Sequence, residues 1–101
     1  MEKQIENRNV VYTLSEGLTA NKISEYSQYL DQTLPDVESF DEFILNLSQT
    51  DTIDSTGVTF IISIYKKMKV LGKKFSISGA TEEVQGLFKL MKLNQFFEMR
   101  S

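Results

Sequence analysis

Among its 101 residues the chain has no histidine, no cysteine, no tryptophan and a single proline. Each absence excludes a class of chemistry. Without histidine there is no imidazole to serve as a general base near neutral pH. Without cysteine there is no thiolate nucleophile, no disulfide, and no zinc site of the usual His/Cys kind. The fold must therefore stand on packing, which suits a reducing compartment. Long apolar runs are also missing, none reaching the ~18 residues that a membrane span needs. The start, Met1 to Arg8, lacks the apolar segment of a secretory signal. The expectation is a cytoplasmic protein with no membrane insertion.

What remains is ordinary in bulk and uneven in detail. A hydrophobic share of 41% and a charged share of 25% are those of a soluble globular chain. A chain this long closes one core, so a single domain over residues 1–101 is expected. Residues 1–54 carry eleven acids and three bases, a balance of −8, while 55–101 carry three acids and eight bases, a balance of +5. The asymmetry reads either as a basic surface for an anionic partner or as two solvated faces. With net charge −3 and pI near 4.9, a nucleic-acid partner is not expected.

The elements follow from periodicity. Val10-Val-Tyr-Thr-Leu14 is β-prone, and Gln4-Ile5-Glu6 pairs with it across an Asn7-Arg8-Asn9 turn. Ile23, Tyr26, Leu30 and Leu34 recur at helical spacing, and Pro35 stops that helix at Leu34. Phe43 to Leu47 is apolar without strict alternation, as in a strand covered on both faces. The run Val58–Met68 has a β-branched core, yet Val58, Ile61, Ile62, Tyr65 and Met68 keep the helical period. Its end, three lysines and then Gly72, is a helix stop. Phe75–Ser78 is a further strand. Thr81 caps a helix whose stripe is Val84, Leu87, Phe88 and Met91, and Phe96–Met99 closes the order as a last strand. The sum is an α/β fold, β-β-α-β-α-β-α-β, a mixed but mostly parallel sheet with helices packed against it.

One tetrapeptide has a chemical look. Asp54-Ser55-Thr56-Gly57 lies where the Phe43–Leu47 strand gives way to the next helix, at the carboxyl edge where α/β proteins place ligands. By composition alone it is also what any capped helix start prefers. A hydroxyl there faces outward with a helix N-terminus behind it, a favourable seat for phosphate. Ser55 has no histidine to activate it, so it reads as a group acted upon rather than one that acts. Gly57 leaves room for a second backbone. Asp51 and Asp54 are three apart, not the two of haloacid-dehalogenase phosphatases, and no Asp-x-Ser-x-Ser metal motif occurs. No metal, cofactor or catalytic residue is expected. The basic patch Lys66, Lys67, Lys69, Lys73 and Lys74 reads as an anion or lipid-headgroup surface, or as helix-dipole compensation. A helix from Thr56 to Lys69 is about 20 Å long, which puts those lysines at the far end from Ser55.

The segment Phe43-Ile-Leu-Asn-Leu-Ser-Gln-Thr-Asp-Thr-Ile-Asp-Ser-Thr-Gly-Val58 resembles the signature of STAS domains, the bacterial anti-sigma factor antagonist family. Tyr65-Lys66, Gly72-Lys73, Val84-x-x-Leu87-Phe88 and Leu93 extend the resemblance from about residue 10 to residue 97. It implies that Ser55 is phosphorylated by a partner that is both serine kinase and anti-sigma factor. The unmodified form would bind that partner and free the sigma factor, the phosphorylated form would let go, and a PP2C-type phosphatase would reset it. Asp54 and Thr56 would shape the docking surface, and Gly57 would permit close contact.

Two departures are visible. Where members carry Gly-x-(Leu/Ile/Val)-Asp after the second strand, this chain reads Gly17-Leu18-Thr19-Ala20, so Thr19 stands in place of an acid that helps engage the kinase. The family's C-terminal helix is expected to be missing or trimmed after Phe97. The alternative function is a constitutive STAS subunit of a lipid-transport or stress-signalling complex.

Overall fold

A computed structural model describes residues 1–100; Ser101, the end of the expected single domain, lies outside the described residues. The first hairpin joins β1 (Glu2–Glu6) to β2 (Asn9–Thr13). Asn9 already pairs with Glu6, so the link is the two residues Asn7 and Arg8, one fewer than expected. Asn7 takes the left-handed φ of 58° that asparagine tolerates better than most side chains. Arg8 is held by Asp41 at 2.8 and 3.0 Å and by the Glu38 carbonyl at 2.8 Å, tying the hairpin to the approach of β3.

Three crossovers follow, each parallel strand leading through a helix to the next. They run β2 to α1 (Ala20–Thr33) to β3 (Glu42–Asn46), then α2 (Ser55–Val70) to β4 (Lys74–Ser78), then α3 (Glu82–Leu90) to β5 (Glu98–Arg100). The sheet order is β1-β2-β3-β4-β5, with only the first pair antiparallel. Strands added in sequence order through right-handed crossovers carry all their helices to one face. The core accordingly lies on the rows Val10–Phe43–Phe75 and Tyr12–Leu45–Ile77, beneath Tyr26 of α1, Val58, Ile61 and Ile64 of α2, and Val84 and Phe88 of α3.

The expectation that β3 is covered on both faces holds: Phe43 and Leu45 are buried on one face, Glu42 and Ile44 on the other. The opposite face carries no part of that core. Its central row is Gln4, Val11, Ile44, Ser76 and Glu98. Beside it, the buried Glu42 carboxylate accepts from Ser76 Oγ at 2.6 Å and from Arg100 Nη2 at 2.8 and 2.9 Å. Ile44, 6% exposed, lies between Val11 and Ser76 of the neighbouring strands on this face.

Helix ends explain where elements stop. Before Pro35, Leu34 is forced to an extended ψ of 125°, and α1 ends. After α2, Gly72 takes φ 73°, its N–H reaches Lys69 O at 3.1 Å, and Lys73 N–H reaches Met68 O at 2.8 Å. That is a Schellman stop, the one that three lysines and a glycine foretold. The buried face of α2 is wider than the expected stripe, because Phe60 and Ile64 are buried while Ile62 and Tyr65 are only partly so. Phe60 faces α1, with its ring 6.3 Å from that of Tyr26.

The last strand was expected two residues too early. The chain leaves α3 through Lys92, at φ 59°, and a short 3-10 turn, Leu93–Gln95. Phe97 then fills the core against Phe75 at 5.3 Å, Tyr65 at 5.8 Å and Phe88 at 6.1 Å, and β5 begins only at Glu98. Met91, expected in the buried stripe, lies past the end of α3 and is exposed. None of the described helices is long and apolar enough to cross a membrane.

Candidate functional site

At the carboxyl ends of β2 and β3, two loops run side by side. Leu14–Thr19 leads into α1 and Leu47–Asp54 leads into α2. They are stitched together. Leu14 N–H donates to Asn46 O at 3.2 Å, Leu18 N–H to Thr52 O at 2.9 Å, and Asp54 N–H to Leu18 O at 3.2 Å. The hydroxyl of the fully buried Thr50 donates to Glu16 O at 3.0 Å, and Tyr26 anchors the first loop by donating to Gly17 O at 3.0 Å. Leu18 and Ile53 form a parallel bridge, so the seam extends the sheet by one more pairing.

Asp54 is the pin. As the N-cap of α2 its Oδ1 accepts from Gly57 N–H at 2.8 Å, and its Oδ2 accepts from Ala20 N–H, the first residue of α1, at 2.9 Å. One carboxylate thus caps two helices that start 35 residues apart. These amide donors, Gly57 first and Ala20 second, hold its pKa below the usual aspartate value. Thr19 occupies the N-cap position of α1 without capping it; its hydroxyl turns to Asn21 Oδ1. Where the sequence lacks an acid at 19, Asp54 reaches across and supplies the acceptor.

Gly57 does allow a close approach, and the backbone that approaches is the chain's own. A Cβ at 57 would stand 2.1 Å from Leu18 O and 2.9 Å from Leu18 Cγ. Ser55 and Thr56, by contrast, are exposed on the first turn of α2. The five residues singled out by sequence therefore gather at one end of the molecule. Asp54 and Gly57 hold it together, and Ser55 and Thr56 face outward. Sequence reasoning missed Leu18, Ala20, Thr50 and Thr52. Only the buried threonine between polar neighbours hinted at a structural hydroxyl; backbone partners 34 residues apart leave no local trace.

Acids line two hollows beside the loop that leads into α2. A cleft of about 300 Å³ is lined by Asp51, Thr52 and Ile53 and by Glu83, Val84 and Leu87 of α3, and a second hollow is lined by Asp51, Thr81, Glu82 and Glu83. Neither is lined by a lysine or arginine. Lys22 is already paired with Glu16 at 2.6 Å. Lys66 to Lys69 stand at least eleven residues along α2 from Ser55, about 16 Å at 1.5 Å per residue.

The cap makes a prediction. A carboxylate whose folded pKa is depressed stabilises the fold above its unfolded pKa of about 3.9 and loses that contribution as pH falls through the folded value. Asp54→Asn keeps one oxygen for Gly57 N–H but loses the charge and the acceptor for Ala20 N–H, and should lower the melting temperature at pH 7 by roughly 5 °C. The gap between wild type and variant should close as pH falls below the unfolded value of about 3.9 and through the lower folded one. A gap that stays constant in thermal melts over that range would mean that the negative charge does not matter.

The family model described as STAS domain matches residues 1–101. Among solved structures, a Thermotoga maritima protein proposed to be an anti-sigma factor antagonist superimposes with a TM-score of 0.88 at 20% identity, over 99% of this chain and 85% of that one. A sulfate transporter family protein from Wolinella succinogenes gives 0.80 at 16% identity, over 97% and 80%. The Bacillus cell fate determinant SpoIIAA, in its phosphorylated form, gives 0.71 at 12% identity, over 99% and 90%. At these identities the likeness is one of fold.

Proposed function

Because the chain belongs to the STAS domain family, we propose that it is a regulatory binding protein of the anti-sigma factor antagonist type, switched by phosphorylation of Ser55. It binds a partner that is both serine kinase and anti-sigma factor while Ser55 is free, releases it once Ser55 is phosphorylated, and is reset by a PP2C-type phosphatase. It acts by binding, not by turnover, in the cytoplasm. The carrying observation is the seat of Ser55, an exposed residue at the first position of α2, directly after a loop that Asp54 and the Leu18–Thr52 seam pin in place. The existence of a phosphorylated form of a protein sharing this fold is consistent with it.

Within the chain the phosphate is tolerated. Asp54 has turned its oxygens toward two amides, and the N-terminus of α2 favours negative charge. The penalty falls on binding, where a partner carboxylate close to Ser55 would meet the added negative charge.

Incubation with the cognate kinase and ATP should add the mass of a single phosphoryl group, and Ser55→Ala should abolish the addition. Uptake by the Ser55→Ala protein would move the site elsewhere. The second reading, a constitutive subunit of a larger assembly, draws on the fold shared with the transporter-family protein of Wolinella succinogenes. It requires a stable complex on size-exclusion chromatography that is indifferent to charge at Ser55.

A further inference from the structure

At the other end of α2 the surface has a different character. A cavity of about 120 Å³ opens between α2 and the 3-10 turn after α3, lined by Ile62, Tyr65, Lys66, Leu93, Phe96 and Phe97. Lys66 is its one charged wall. Water held there would lack the two to four polar partners that ordered water needs. Phe96 is 56% exposed at the mouth, and the chain that leads to it exposes Leu90 and Met91 as well. Lys69 Nζ stands 5.9 Å from the Tyr65 ring centre.

The charge around this cavity is uncompensated. Of the three acids in residues 55–101, Glu82 and Glu83 line a different hollow with Asp51, and Glu98 pairs with Lys74 at 3.1 Å. Among the described residues neither Lys66 nor Lys69 pairs with a carboxylate. An apolar hole rimmed by unpaired ammonium groups fits one kind of occupant. We propose that this cavity docks an acidic segment of a partner protein that inserts a single bulky apolar side chain, with its flanking carboxylates on Lys66 and Lys69. About 15 Å of helix separates Tyr65 from Ser55. The anchor is therefore independent of the phosphorylation state, and a partner held there stays associated when the Ser55 face releases.

The test uses the intact chain, 15N-labelled, and an eleven-residue peptide of Glu and Asp with one central Phe. Titration should shift the amides of Ile62, Tyr65, Leu93, Phe96 and Phe97 with a Kd on the order of 100 µM. Lys66→Glu with Lys69→Glu, both exposed and without a carboxylate partner in the fold, should weaken binding about tenfold, as should Phe96→Ala. Ser55→Asp should leave it within about twofold. Equal binding of a peptide with Ala at the centre, or of a lysine version, would overturn the proposal. So would the absence of shifts at millimolar peptide, or concentration-dependent shifts of the same amides without peptide, which would make a second copy the occupant.

Discussion

Gly57→Ala is expected to destabilise the protein strongly, by about 3 kcal/mol or more, although alanine is the better helix former. The added methyl would lie 2.1 Å from Leu18 O, with Leu18 Cγ and C at 2.9 and 3.0 Å. Leu18 cannot retreat. Its N–H is bonded to Thr52, its carbonyl to Asp54 N–H, and its side chain is fully buried. Making room means lifting α2 off the first loop, with loss of the Asp54 bond to Ala20. Overpacking against side chains costs about 1–3 kcal/mol, and a backbone obstacle puts this site at or above the top of that range. The natural control is Gly86, inside α3 with nothing within 4 Å of its would-be Cβ. There the same substitution should stabilise by about 0.5–1 kcal/mol, the ordinary helical preference for alanine. Urea unfolding of the two variants should thus give opposite signs. Similar midpoints for both would contradict the close approach.

The second large effect concerns affinity. A phosphoserine at 55 adds roughly 1.5 to 2 negative charges. One unit charge about 4 Å from a partner carboxylate costs about 1 kcal/mol in water and about 4 kcal/mol at an effective dielectric of 20. At 1.4 kcal/mol per decade, kinase binding should weaken from about tenfold to several hundred-fold on phosphorylation. Ser55→Asp, with one charge on a shorter arm, should weaken it less, and Ser55→Ala should bind as the unmodified protein does. The second phosphate ionisation lies near pH 6, so the penalty should shrink as pH falls from 7 to 5. Calorimetric titration against the cognate kinase reads all of these. A phosphorylated protein that binds as tightly as the free one would end the switch reading.

Much of the fold was legible because its signals are local. Lysines followed by Gly72, Thr81 ahead of two acids, and Pro35 after Leu34 each mark a boundary through the backbone chemistry of one turn. The last strand was misplaced because Phe96 and Phe97 are β-prone wherever they occur, and only the packing of Phe97 against Phe75, Tyr65 and Phe88 decides otherwise. The site was legible in its outline and not in its mechanics. That Asp54 precedes a helix is written beside it; that it also holds the first amide of α1 depends on two loops meeting. Gly57 suggested a close neighbour correctly, yet Leu18 is a residue of the same chain, 39 positions earlier.

The stitched loops bear on what a kinase must recognise. Ser55 is not offered on a loose tail that can be drawn into an active-site groove and read residue by residue. Leu18, Thr50, Thr52 and Asp54 hold its turn in one pose. An enzyme that phosphorylates it reads the shape of a folded surface assembled from both loops. A synthetic peptide spanning residues 48–60 keeps the sequence around the serine, loses the second loop entirely, and makes a poor substrate.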